Sequence, residues 1–249
     1  MADPKRLYGL KALVLNAADG IGEAIARTLV KHGATVIAAD TINSGVVQHF
    51  ASVRGITGHV AKLTDPEQLT GLVEDAAEKL GGLDIVVNDF LLRQEAPLAR
   101  VDERLENVLK QRAALALTVC RAALPYLKKS PAGRIINIGF LRSFFAADGN
   151  EACARAEQDL ANLTRALAAE TGEFGITANY VQPGAIMTPE SREVFRKNEG
   201  LRDHCIQSSA ARRLGEPVDV AKVALFLASD DAVFVSGTGV SVDGGRLER

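Results

Sequence analysis

From residue 11 onward the chain alternates between short, continuous apolar runs and longer segments whose apolar residues recur at helical spacing. Lys11 to Asn16 is the first run, and Gly20 and Gly22 then open a pattern of Ile21, Ile25 and Leu29 that ends at Gly33. Ala34 to Asp40 and Gly55 to Val60 read as the second and third buried strands. Thr64-Asp65-Pro66-Glu67 reads as a cap, a first-turn proline and a capping-box acid, opening a helix to about Leu80 that Gly81-Gly82 stops. A strand from Leu83 to Asn88, a long Ala/Leu-rich helix over about Val101 to Lys128, and a strand from Arg134 to Ile138 follow. A helix over about Ala152 to Glu170 and a strand from Thr177 to Val181 complete the alternation. Strands buried on both faces and strictly alternating with helices predict a parallel sheet covered by helices through right-handed crossovers, a doubly wound α/β fold.

Composition narrows the classes of function. At 249 residues the chain suits one domain spanning 1–249, with no linker-like stretch or composition break to divide it. Its 29 basic and 31 acidic residues nearly cancel and lie scattered, so no nucleic-acid or other polyanion partner is expected. The opening Met-Ala-Asp-Pro-Lys-Arg lacks the apolar core of a signal peptide, and no apolar run approaches the ~18 residues of a membrane span, which predicts a cytoplasmic protein. Cys120, Cys153 and Cys205 are too far apart for a metal cluster or disulfide framework, and His204-Cys205 alone supplies no tetrahedral set, so no metal is expected. The charged stretch from Met187 to Leu214 follows a strand's carboxyl end, where such folds bind ligands. It is read as a substrate lid over about 187–214, or equally as a solvated helical flap.

Gly20-Ile21-Gly22 after a strand and before a helix, with Asp40 ending the next strand, fits a dinucleotide fingerprint: backbone N–H groups face a pyrophosphate and the acid faces the ribose. Further motifs stand in order behind it. They are Asp84-Ile85-Val86-Val87-Asn88, Gly133-Arg134-Ile135-Ile136-Asn137-Ile138, Pro183-Gly184 with Thr188, and Leu225 to Ser229 leading to Val242-Asp243-Gly244-Gly245. Over residues ~10 to ~245 the chain resembles the short-chain dehydrogenase/reductase family, which implies a Rossmann-type fold, a nicotinamide cofactor and oxidoreductase ancestry.

The resemblance also implies a catalytic set: an Asn, a Ser and a Tyr-x-x-x-Lys pair, in which the Tyr moves a proton while hydride passes to or from nicotinamide. All four are replaced. Counting back from Thr164-Arg165, the Tyr position is Cys153 and the Lys position Glu157; the Ser position is Phe140 and the Asn position Arg112. Ser143 and Tyr180 do not fit the register. A carboxylate one helical turn from a thiol disfavours the thiolate, and no histidine is in register to activate Cys153. Arg112 and Glu157 converge on one cleft in this family and are read either as an ion pair or as solvated charges. Phe140, Phe144 and Phe145 are read as core packing or as filling for the nicotinamide space.

The cofactor positions are altered too. The first glycine of the turn is Asn16, the small residues after the fourth strand are Phe90 and Leu91, and the adenine-side Asp is Lys62. Asn16, Phe90 and Leu91 are expected to crowd a dinucleotide. Asn16, Gly20, Ile21, Gly22, Asp40, Asn88 and Thr188 are therefore read as vestiges of a cofactor site that binds none tightly, and that Asp40 biases toward NAD over NADP. These features point to a pseudoenzyme: a non-catalytic subunit that pairs with an active short-chain dehydrogenase in a hetero-oligomer, expected to be a tetramer. The loss also resembles that in the inactive chain of a heteromeric hydroxyacyl-CoA-type dehydrogenase. The Ala-rich helix faces at Ala113, Ala114 and Ala116 and at Ala166, Ala168 and Ala169 are the expected seam, with the C-terminal segment. A dinucleotide sensor and an enzyme of unknown non-redox chemistry are the alternatives. The halohydrin dehalogenases, relatives without nicotinamide, keep Ser, Tyr and Arg where this chain has Phe140, Cys153 and Glu157.

Overall fold

In the computed structural model the backbone is described for residues 6–90, 103–139 and 151–246, with side chains described outside 103–110 and 151–153. Seven parallel strands form one sheet: β1 (Lys11–Leu15), β2 (Thr35–Asp40), β3 (Ile56–Val60), β4 (Ile85–Asp89), β5 (Arg134–Ile138), β6 (Thr177–Pro183) and β7 (Gly239–Val242). Their spatial order is β3-β2-β1-β4-β5-β6-β7. The order reverses between β1 and β4, which places a crevice at the carboxyl ends of those strands.

The helices are α1 (Gly20–Lys31), α2 (Val46–Phe50), α3 (Pro66–Leu80), α4 (Glu103–Leu127), α5 (Glu151–Thr171), α6 (Pro189–Lys197), α7 (Glu199–Gln207) and α8 (Pro217–Ala228). Two apolar layers sandwich the sheet. One joins Ile25 and Leu29 of α1 to Val220 and Leu227 of α8; the other joins Leu69 and Val73 of α3 to Leu115 and Val119 of α4 and Leu160 of α5. The fold is the doubly wound α/β sandwich that the alternation predicts.

Local chemistry sets the boundaries. Asp65 caps α3 by accepting from the backbone N–H of Glu67 (3.1 Å) and Gln68 (3.4 Å), with Pro66 in the first turn and Gly81 closing the helix in a left-handed conformation. Gln68, not Glu67, occupies the third helical position. The Met187–Leu214 stretch is mostly helical, α6 and α7, and Thr188 and Ser191 start it with a reciprocal capping box. The short α2 and the edge strand β7 escape the hydrophobic pattern, because α2 is five residues long and β7 has only four, half of them exposed.

Of the expected helix seam, Ala116 needs correction. Ala116 is fully buried in the chain's own core beneath α4, whereas Ala114, Ala166 and Ala169 are exposed. An Ala-rich helix turns its smallest residues inward as readily as outward, so composition alone does not say which face is free. Large apolar side chains are exposed near the C-terminal end at Val218 and Phe226 on α8, then Val233 and Phe234, the last 100% exposed, and elsewhere at Tyr8, Ile42 and Phe174.

Candidate functional site

The turn between β1 and α1 keeps its close approach. Asn16 has a φ of 53° and Gly20 one of 57°, both left-handed. Asparagine is among the few non-glycine residues that tolerate this region, so the exchange at the first glycine preserves the turn. A Cβ on Gly22 would lie 2.2 Å from the Asn16 carbonyl oxygen, so Gly22 is required by the packing of α1 on the turn. Ile21 is a core residue.

The side chains around this turn are committed inward. Asp40 is fully buried; its Oδ2 accepts from the Ala18 N–H (2.8 Å) and its Oδ1 from the Thr41 N–H (2.6 Å). Thr188 spends its hydroxyl accepting from the Ser191 N–H (3.2 Å) at the start of α6, and a Cβ on Gly20 would lie 3.6 Å from its side chain. The turn thus keeps the backbone cradle a pyrophosphate would need, while the Asp40 carboxylate, at the position of the ribose acid, spends part of its acceptor capacity fastening the turn to the start of the β2–α2 connection. Phe90, expected to crowd a dinucleotide, is 2% exposed and belongs to the apolar cluster of α3 and α4. A phenyl ring at a strand end gains about 2–3 kcal/mol by burial, and the adjoining core offers that. Leu91 lies outside the described residues, and Lys62 is a surface residue 3.9 Å from Asp65.

At the carboxyl end of β5, Arg112 from α4 and Glu157 from α5 meet. Arg112 Nη1 stands 3.7 Å from Glu157 Oε1, with side-chain exposures of 4% and 11%, and Arg112 Nη2 donates to the Ile138 carbonyl oxygen at 2.7 Å. The ion-pair reading holds, and the solvated-charge reading does not. Phe140, Ser143, Phe144 and Phe145 lie outside the described residues; Cys153 lies on α5, its side chain outside the description.

A second polar chain crosses the sheet deeper in the core. Asn88 Nδ2 donates to Asn137 Oδ1 (2.9 Å) and to Cys120 Sγ (3.4 Å), Asn137 Nδ2 to Thr164 Oγ1 (2.9 Å), and Thr164 Oγ1 to the Leu160 carbonyl (2.8 Å). Asn137 and Thr164 were legible only as motif markers, although a lone Asn inside the apolar run Arg134–Ile138 is itself a signal of a buried polar contact. Burial pushes the Cys120 thiol up to about 12 and that of Cys205 up to about 11. Tyr180 packs against Gly239, where a Cβ would lie 2.2 Å from its ring. His204 is exposed. Among the described residues no group of three or more His, Cys, Asp or Glu is placed to hold a metal, and no helix is long and apolar enough to cross a membrane.

A seven-stranded parallel sheet with a glycine turn after β1 and polar groups converging on the end of β5 defines a dinucleotide-fold oxidoreductase scaffold. The chain belongs to the short-chain dehydrogenase/reductase family, with residues 16–246 matching the family described as enoyl-(acyl carrier protein) reductase. A 3-oxoacyl-(acyl-carrier-protein) reductase (FabG) of Thermotoga maritima is 30% identical over 247 residues, covering 97% of this chain and 99% of that one. Oxidoreductase UcpA of Escherichia coli K12 is 31% identical over 252 residues, covering 96% and 95%. A putative NAD(P)-dependent gluconate 5-dehydrogenase of Beutenbergia cavernae, with bound NADP, superposes with a TM-score of 0.84 at 29% identity over 97% of this chain and 98% of that one.

Proposed function

We propose that this chain is a non-catalytic subunit of a hetero-oligomeric NAD-dependent alcohol or hydroxyacyl-CoA dehydrogenase, with a structural or regulatory role beside an active short-chain dehydrogenase. The carrying observation is the buried Arg112–Glu157 pair. At the position of the activating lysine stands a carboxylate already engaged by an arginine, and the proton-donor position is Cys153. Arg112 and Glu157 hold each other, and the tyrosine–lysine pair that moves a proton to or from the substrate oxygen in this family is replaced. The arrangement proposed is that of the 2-[hydroxy(phenyl)methyl]succinyl-CoA dehydrogenase of anaerobic toluene degradation, in which a degenerate chain is paired with an active one. Under this reading the exposed Phe226, Val233 and Phe234 are the apolar surface offered to that partner.

The purified chain alone should turn over no carbonyl or alcohol substrate with either nicotinamide. Turnover abolished by Cys153→Ala contradicts this.

A second reading, a dinucleotide sensor, is favoured by the retained left-handed turn at Asn16 and Gly20. Calorimetric titration separates the two. Under the subunit reading NADH binds no tighter than about millimolar, roughly 4 kcal/mol, and any residual binding favours NAD, since the Asp40 carboxylate opposes a 2′-phosphate. A micromolar constant favours the sensor.

A further inference from the structure

We propose that the chain's two polar crossings are the rungs of one internal ladder that fixes the register of α4 against α5, and that the upper rung has been built out of the former proton-transfer positions. The upper rung joins Arg112 on α4 directly to Glu157 on α5, with the Ile138 carbonyl on β5 accepting from the same guanidinium. The lower rung runs from Cys120 on α4, through Asn88 on β4 and Asn137 on β5, to Thr164 on α5.

The spacing joins them into one device. Arg112 and Cys120 are eight residues apart and Glu157 and Thr164 seven, about 12 Å and 10 Å along helices that rise 1.5 Å per residue. The rungs therefore meet both helices at matching heights, two turns apart. They share β5 at adjacent residues, Asn137 and Ile138, and Asn88 pairs with Asn137 in the strand register. Sliding α4 by one turn against α5 parts Arg112 from Glu157 and Cys120 from Asn88 together, while the Asn88–Asn137–Thr164 segment stays with the strands and α5 as the fixed frame against which α4 is registered. Apolar packing between Ala- and Leu-rich helices is by comparison indifferent to such a slip, so the polar groups are what specify one arrangement. The guanidinium suits its place because its fork serves a carbonyl and a carboxylate together. Asn88, read from the sequence as a cofactor vestige, has a reason to persist in the absence of any cofactor.

The test is thermal unfolding of the full chain carrying Arg112→Met, Glu157→Gln and both together, with hydrogen exchange followed by mass spectrometry. Each single change leaves a buried charge and should lower the midpoint by roughly 10 °C, while the double variant should fall no further than the worse single one. In Glu157→Gln, exchange should quicken around residue 112 of α4 as well as around residue 157 of α5. Midpoint losses under about 2 °C, strictly additive losses, or exchange changes confined to α5 overturn the proposal. If Arg112→Met gives no folded chain, Arg112→Lys replaces it: its single ammonium cannot serve both partners, so its midpoint should still drop measurably, and a Lys variant as stable as the parent also overturns the ladder.

Discussion

Asn16 shows how an exchange that looks disruptive in sequence is absorbed by one dihedral angle. With φ at 53°, replacement by glycine should change stability little, whereas Asn16→Ala should cost about 1 kcal/mol in chemical denaturation, because alanine tolerates the left-handed region less well. Gly22→Ala is more severe: its Cβ would meet the Asn16 carbonyl oxygen at 2.2 Å, so a loss of about 3 kcal/mol is expected, and a neutral result contradicts the tight turn. The thiols offer a check of another kind. With Cys120 and Cys205 buried and pushed up to about 12 and 11, native alkylation at pH 8 should add at most one label per chain by mass spectrometry, at Cys153. Two or three labels contradict the burial. At this scale the sequence was readable where residue type carries chemistry, as at Arg112 and Glu157. It was unreadable where orientation decides: nothing in the letters says that Phe90 turns into the core or that Asp40 turns its carboxylate onto Ala18 and Thr41.

Among the elements, hydrophobic period marked the long ones and missed the short. The expected helix over about 152–170 is α5 at Glu151–Thr171, and the Asp65-Pro66 start of α3 is placed by a cap that the sequence shows outright. Strand β7 went unseen because an edge strand four residues long carries too little pattern. Which face of α4 and α5 is free was also hidden, since alanine serves both faces, and this changes how assembly is probed. Ala116→Glu buries a carboxylate in the chain's own core and should prevent folding; Ala166→Glu sits on the surface, should leave the thermal midpoint within about 2 °C, and should weaken assembly if α5 is part of the shared surface. Unchanged co-elution of Ala166→Glu with its partner removes this part of α5 from the interface. Val233 and Phe234 are then the residues to replace with polar ones.

For the molecule as a whole, the scaffold of an oxidoreductase family is intact from residue 16 to residue 246, while the groups facing the end of β5 hold one another. Restoring Phe140→Ser, Cys153→Tyr and Glu157→Lys together should still give no activity. The new lysine would face Arg112 where a carboxylate now stands 3.7 Å away, costing roughly 3–5 kcal/mol of stability that a further Arg112→Asn should largely return. Fold was legible end to end because alternation and motif order are global signals; the proposed role rests on what the four positions lack, and assembly is written on surfaces that one chain's sequence does not label. The most direct measurement is co-expression with the intact short-chain dehydrogenases encoded nearest its gene, followed by size-exclusion chromatography and assay of the eluted fractions. The subunit account predicts one complex containing both chains, with all turnover lost when the partner's proton donor is replaced and none lost on Cys153→Ala here. A partner fully soluble and active alone, never co-eluting with this chain, contradicts it.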